Sequence, residues 1–252
     1  MDSGTTRGAA PPPVRIGVLA SGSGTILEAL LADGLPIRLV AADRPCRALD
    51  VAAAASVPTA LVDRAAHGGF ARGFDRVGYT RTLADTLVAA DIDVVVMAGF
   101  GTVLEQPIHD AFPDRILNTH PALLPEFPGW HAVHDALAAG VPETGTTVHV
   151  AHLEMDTGPI LAQATVAILP DDTEASLHER IKAVERTLYP ATIRTFIDDL
   201  AAQAVGGGPS PEEVTECRHC CPSSTRPGSR GSRGAWPTWV GSWCRAAEPR
   251  RR

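Results

Sequence analysis

Asn118 and His120 stand one residue apart in LNTHPALLP, at the end of the apolar run RILNTH (115–120). If that run is a strand, the two side chains leave it on the same side, because strand residues alternate between faces. Asparagine offers an amide donor, and an imidazole takes up or releases a proton near neutral pH, with an ordinary pKa of about 6.5. Together they could hold a developing oxyanion and move a proton. Pro121 and Pro125 cannot continue a ladder, so the chain leaves the sheet directly after the histidine. An isolated Asn-x-His-Pro is also compatible with a merely capped loop, and the pair alone leaves both readings open.

A carboxylate shifts the balance. Asp156 lies in EMDTGPI, a turn between two late strand-like segments, with Gly158 giving the turn freedom and Pro159 ending it. Brought to His120, it would favour the protonated ring and fix its orientation. A third candidate is SGSGT (21–25), where Gly22 and Gly24 permit a tight turn and the N–H groups of Gly24, Thr25 and Ile26 open a helix with donors free for an anion. The loop lacks the third glycine of a dinucleotide fingerprint and the GK[ST] of a triphosphate loop, so a plain strand-to-helix turn also fits it.

These segments need a frame. VRIGVLA (14–20), IRLVAAD (37–43), TALVD (59–63), DVVVMAGF (93–100) and RILNTH read as short buried strands. Helical segments stand between them, with TILEALLAD after the first strand and further helices near 47–55 and 75–90. WHAVHDALAAG follows as a helix with Val133, Leu137 and Ala138 on one face and Gly140 as its stop. TGTTVHVAHL (144–153) and GPILAQATVAIL (158–169) read as two late strands joined by a sharp loop. The stretch 172–200 has helical spacing, starts at Asp172 or Thr173, and should be interrupted or kinked at Pro190.

The expected fold class is α/β: one domain, a mostly parallel Rossmann-like sheet with helices on both faces and ligands bound beyond the carboxyl ends of the strands. SGSGT, GFGTVL and NTHPALLP all fall on that edge.

The domain should span 14–205, between an N-terminal extension (1–13) and a Gly/Pro/Arg-rich tail (206–252), both expected to be disordered. Of the 22 basic and 29 acidic residues, eight arginines and four glutamates lie in the tail, which leaves the remainder at −11. So acidic a body excludes a general affinity for nucleic acid. No apolar run reaches the ~18 residues of a membrane span, and no signal peptide is recognisable, so the expectation is a cytoplasmic protein. Four of the five cysteines are in the tail, which excludes a disulfide framework in the body. Cys217, His219, Cys220 and Cys221 have no second ligand pair at finger-like spacing, and no metal is expected. His109, His131, His134, His149, His152 and His178 read as surface or packed residues.

VVVMAGFGTVL, RILNTHPALLPEFPGWHAVHDALAAGVPETGTTVHVAHLEMDTGPILAQ and ERIKAVERTLYP closely resemble the phosphoribosylglycinamide formyltransferase family, over about residues 14–200. The N-x-H-P-x-L-L-P segment followed by a D-x-G loop marks 10-formyltetrahydrofolate formyltransferases as a group, and the phosphate-type loop after the first strand selects this member. The resemblance implies formyl transfer from 10-formyltetrahydrofolate, as co-substrate, to the amine of glycinamide ribonucleotide in purine biosynthesis. It implies that Asn118 and His120 stabilise the oxyanion and relay protons, with Asp156 raising the histidine's pKa. Gly24, Thr25 and Ile26 would hold the ribonucleotide phosphate, although the family commonly has asparagine at the position of Ile26. Glu185 would receive the glycinamide part. Arg76 would lie near the glutamate tail of the folate, whose pterin would meet Gly101, Thr102, Val103, Leu104 and Asn118. The family usually reads M-R-I-L where this chain reads GTVL. A restored Thr102→Arg is therefore expected to strengthen folate binding.

The resemblance implies small-molecule partners only, with neither nucleic acid nor membrane, and leaves the oligomeric state open. The catalytic part of methionyl-tRNA formyltransferase shares the same core, but it needs a basic extension for its nucleic acid, against the acidic body here. A non-catalytic folate- or nucleotide-binding regulator would have no use for the intact Asn118, His120 and Asp156.

Overall fold

The computed structural model describes residues 13–205. The two expected extensions lie outside the described residues, apart from Pro13. Among the described residues the elements run β1 (Ile16–Ala20), α1 (Thr25–Ala32), β2 (Ile37–Ala42), α2 (Arg47–Ala54), β3 (Thr59–Leu61) and a 3-10 turn (Arg64–His67). They continue with α3 (Arg76–Ala89), β4 (Val94–Met97), α4 (Gln106–Ala111), β5 (Ile116–His120), α5 (Ala132–Ala139), β6 (Glu143–Val150), β7 (Ile160–Ala167) and α6 (Glu174–Val205).

The strands form a seven-stranded sheet in the order β3-β2-β1-β4-β5-β6-β7. β1 to β5 pair in parallel, whereas β6 runs antiparallel to both β5 and β7. Leu19, Leu39, Ala41 and Val95 join Tyr79, Leu83 and Leu87 of α3 and Ile108 of α4 in one core cluster. The alternate strand residues Ile16, Val18, Val40, Val94 and Val96 are as fully buried, so a second layer of helices covers the other face. Two buried faces explain why these strands read as continuous apolar runs. The edge strands differ: β3, expected to be buried, is exposed or half-buried throughout, and in β7 only Leu161 and Val166 are buried.

The chain reverses its direction of travel across the sheet between β3 and β4, and β4 docks on the far side of β1. The loops after β1 and β4 diverge there, leaving a crevice at the carboxyl ends of the strands.

Two local expectations are corrected, and two short elements were not foreseen. Pro190 neither ends nor interrupts α6, which continues through it. Tyr189 is fully buried and donates to the carbonyls of Leu117 and Met97, and Ile193, Phe196 and Ile197 are buried beyond the proline. Packing on both sides outweighs the one backbone hydrogen bond that proline forfeits. In α5 the buried face is Ala132, Val133 and Ala136, with Leu137 half-buried and Ala138 exposed. Finally, α4 and the 3-10 turn are too short to announce themselves by periodicity. The remaining punctuation holds: Gly140 caps α5 in the left-handed region, and Thr173 and Ser176 exchange capping bonds before α6.

Candidate active site

A cavity of about 470 Å³ opens at the carboxyl ends of β1, β4 and β5. Its wall includes Gly24, Thr25, Ile26, Gly101, Thr102, Val103, Leu104, Asn118, His120, Asp156 and Glu185, so every candidate except Arg76 lies on it.

Asn118 and His120 are the third and fifth residues of β5 and share a face as the alternation requires. Across the antiparallel ladder Asn118 pairs with His149 and His120 with Thr147. The Asn118 amide Nδ2 lies 3.2 Å from His149 Nε2, while His149 Nδ1 lies 3.0 Å from the Val150 carbonyl. A neutral ring protonated on Nδ1 meets both demands, donating to the carbonyl and accepting from the amide. Burial pushes the His149 pKa below the usual histidine range, which keeps that neutral form. The Asn118 amide is thereby oriented and retains a second N–H and its oxygen.

Asp156 approaches from the loop between β6 and β7. Its φ of 58° lies in the left-handed region, where aspartate is among the better-tolerated residues. The Gly129 N–H donates to Oδ2 at 2.8 Å. The same oxygen is 3.4 Å from His120 Nδ1, with both side chains 5% exposed, and Oδ1 is 3.7 Å from His149 Nε2. On its other side His120 meets the Phe127 carbonyl, 2.8 Å from Nε2. Acceptors thus flank both ring nitrogens, the Phe127 carbonyl at hydrogen-bond distance from Nε2 and the Asp156 carboxylate at ion-pair distance from Nδ1. The loop depends on Gly158, where an added Cβ would stand 1.7 Å from the Val150 carbonyl oxygen.

Glu185, on α6, is 6% exposed and accepts from Thr119 Oγ1 at 2.9 Å and Thr146 Oγ1 at 3.4 Å. Burial raises its pKa above the carboxylate range, and the two threonine hydrogen bonds offset part of that rise. One and two helical turns earlier, Lys182 and His178 line the same wall, and Lys182 is the chain's only lysine. Opposite them, Gly24 begins α1 with φ 77° and no side chain caps the helix. Its Cβ position would lie 3.0 Å from the Ala48 backbone, so glycine satisfies both the dihedral and the close approach. Ile26 is 7% exposed, so only its main chain is free to serve an anion.

Two folate-side candidates stand apart from the rest. Arg76 is not on the cavity wall; it pairs with Glu105 at 3.4 Å and lies over the Phe74 ring, at the start of α3. Thr102 is 1% exposed and its hydroxyl donates inward to Asp43 at 2.7 Å, so the side chain is committed before any ligand arrives.

The sequence reading missed His149, Lys182, His178, His109 and the Thr119–Thr146 pair. His149 is packed, as expected, and it is also the group that orients Asn118; its signal was its place in β6 opposite Asn118, visible only once register is known. His109 lines the cavity half-buried, with Nε2 lacking a hydrogen-bond partner and a pKa lowered by burial. Trp130, Leu153 and Met155 are exposed apolar side chains on the same wall. Among the described residues no group of three or more His, Cys, Asp or Glu side chains could hold a metal ion.

An Asn-His-Asp constellation stands at the carboxyl edge of this sheet, and the sequence matches the formyl transferase model over residues 14–193. The chain belongs to the formyl transferase family. Within it, the chain is 47% identical over 190 residues to the phosphoribosylglycinamide formyltransferase of Mycobacterium tuberculosis (strain ATCC 25618 / H37Rv), covering 73% of this chain and 86% of that one. It is 34% identical over 187 residues to the trifunctional purine biosynthetic protein adenosine-3 of Homo sapiens, covering 71% of this chain and 18% of that one. The crystal structure of glycinamide ribonucleotide transformylase 1 from Symbiobacterium toebii superposes with a TM-score of 0.70 at 40% identity, covering 79% of this chain and 94% of that chain.

Proposed function

We propose that this chain is a phosphoribosylglycinamide formyltransferase, moving the formyl group of 10-formyltetrahydrofolate to the amine of glycinamide ribonucleotide in purine biosynthesis. The observation that carries the reading is the convergence of Asn118, His120 and Asp156 on one cavity that also meets the α1 N-terminus and Glu185.

The nucleotide phosphate sits at the N–H groups of Gly24, Thr25 and Ile26, where the helix terminus favours an anion and Lys182 and His178 supply further donors. Glu185 accepts from the glycinamide part. The pterin of the donor lies along the main chain of Gly101–Leu104, and Trp130, Leu153 and Met155 give apolar surface at the mouth. Attack by the amine on the formyl carbon puts negative charge on the formyl oxygen, which the free N–H of Asn118 and the Nε2 side of His120, once it leaves the Phe127 carbonyl, stabilise. Asp156 holds the imidazole in place. Collapse expels tetrahydrofolate as the proton released by the attacking amine moves to N10, with His120 as the relay. No step calls for a metal. All reactants are small molecules, and we place the reaction in the cytoplasm; among the described residues no helix is long and apolar enough to cross a membrane.

A spectroscopic assay of the full chain with glycinamide ribonucleotide and 10-formyl-5,8-dideazafolate tests the reading. Turnover that requires both compounds is expected. Turnover with methionyl-tRNA but not with glycinamide ribonucleotide, or silence from folded protein, contradicts it.

A further inference from the structure

Asp43 follows β2 with a fully buried carboxylate, a group that an interior accepts only when it is paired and hydrogen-bonded. Its Oδ2 takes two donors at 2.7 Å, Arg64 Nη1 from the 3-10 turn and Thr102 Oγ1 from the loop after β4. Its Oδ1 takes none. The Arg64 guanidinium lies 4.0 Å from the centre of the Phe70 ring, which holds it from another side. Three segments far apart in the chain therefore share one buried charge.

The loop after β4 has a second anchor. The Gly101 N–H donates to Ser21 Oγ at 2.7 Å, and Ser21 is 3% exposed in the turn that leads to α1. Residues 101–104 line the cavity with their course set at Gly101 from the nucleotide side and at Thr102 from Asp43.

We propose that Asp43 is a positioning residue for the formyl donor: through Thr102 it fixes the main chain of residues 101–104 against which the donor's heterocycle lies. This rests on the reading of that wall as the donor site. In this chain Asp43 already takes a guanidinium from Arg64, and the short hydroxyl at 102 fills its second contact. An arginine restored at 102 is drawn toward the same buried carboxylate and competes with Arg64 there, so it gains no hold on the folate.

The test uses the full chain and the variants Thr102→Val, Thr102→Ser and Asp43→Asn, with steady-state kinetics for both substrates and the equilibrium Kd for 10-formyl-5,8-dideazafolate. Valine keeps the shape and deletes the hydroxyl, so KM and Kd for the folate analogue rise about five- to tenfold, less than the full effect of one lost hydrogen bond to a charged group because the bond acts on the folate only through the main chain. kcat and the KM for glycinamide ribonucleotide stay within about twofold, and serine restores the wild-type folate constants. Asp43→Asn raises the folate constants while sparing the nucleotide constant, and it decides the matter if the valine variant does not fold. Equal folate constants in the valine and serine variants overturn the proposal, as does a parallel fall of all constants with the melting temperature. Absence of formyl transfer in wild type refutes the functional reading instead; the Kd contrast still decides the positioning role, and a wild type that does not bind the analogue refutes both.

Discussion

The two walls of the cavity are held in different ways. On one, Asn118 and His120 of β5 face His149 and Thr147 of β6 across an antiparallel ladder, so backbone register sets their relation. On the other, the loop after β4 lies outside the ladder, and two side-chain bonds, to Ser21 and to Asp43, set its course. Register moves only in whole residues and a slip turns every side chain to the other face, whereas a side-chain bond is lost by one substitution. The spacing of Asn118 and His120 is therefore held by backbone pairing, whereas the course of the donor wall rests on two side chains that single substitutions remove.

The largest effect breaks the ladder-held wall at its reactive group. Asn118→Ala should lower kcat about 100- to 1000-fold with little change in the nucleotide Kd, measured by the same assay under saturating substrates. Next comes the strap that carries Asp156. Gly158→Ala sets a methyl against the Val150 carbonyl, and calorimetry should show about 3 kcal/mol or more of lost stability, with activity falling as Asp156 withdraws. A smaller effect separates orientation from chemistry: His149→Leu leaves the Asn118 amide without its acceptor, and kcat should fall about tenfold while both Kd values hold.

The smallest concerns stability rather than rate. Burial raises the folded-state pKa of Glu185 above its unfolded value, so the protonated acid stabilises the fold below the ordinary carboxylate range. That contribution is lost as pH rises from the ordinary value through the raised one. Glu185→Gln should therefore melt a few degrees higher than wild type at pH 8, with the gap closing toward pH 4, even as its KM for glycinamide ribonucleotide rises. A gap that widens on acidification would contradict the assignment.

The contrast between the walls also explains what the sequence made legible. Continuous apolar runs followed by Gly, Pro or Asn marked the parallel strands, since burial on both faces leaves little choice of residue there. Asn118 and His120 were legible because one strand fixes their relation. His149 was not, because its part depends on which strand lies opposite, and pairing is a tertiary fact. Thr102 was placed correctly on the cavity wall but assigned to the cofactor; nothing in GTVL announces that its hydroxyl turns toward Asp43, 59 residues earlier. Arg76 was carried over from a motif, and it stands at the start of α3, off the cavity wall and paired with Glu105. Pro190 shows the reverse error, a local rule overridden by packing.

His120 offers the most direct test of the central claim, that this buried imidazole, seated between Asp156 and the Phe127 carbonyl, takes part in formyl transfer. The measurement is kcat for wild type and His120→Ala, both shown folded and both binding the two substrates. The account predicts a loss of about 100-fold or more with near-unchanged Kd values. A variant whose kcat stays within about threefold of wild type would contradict it.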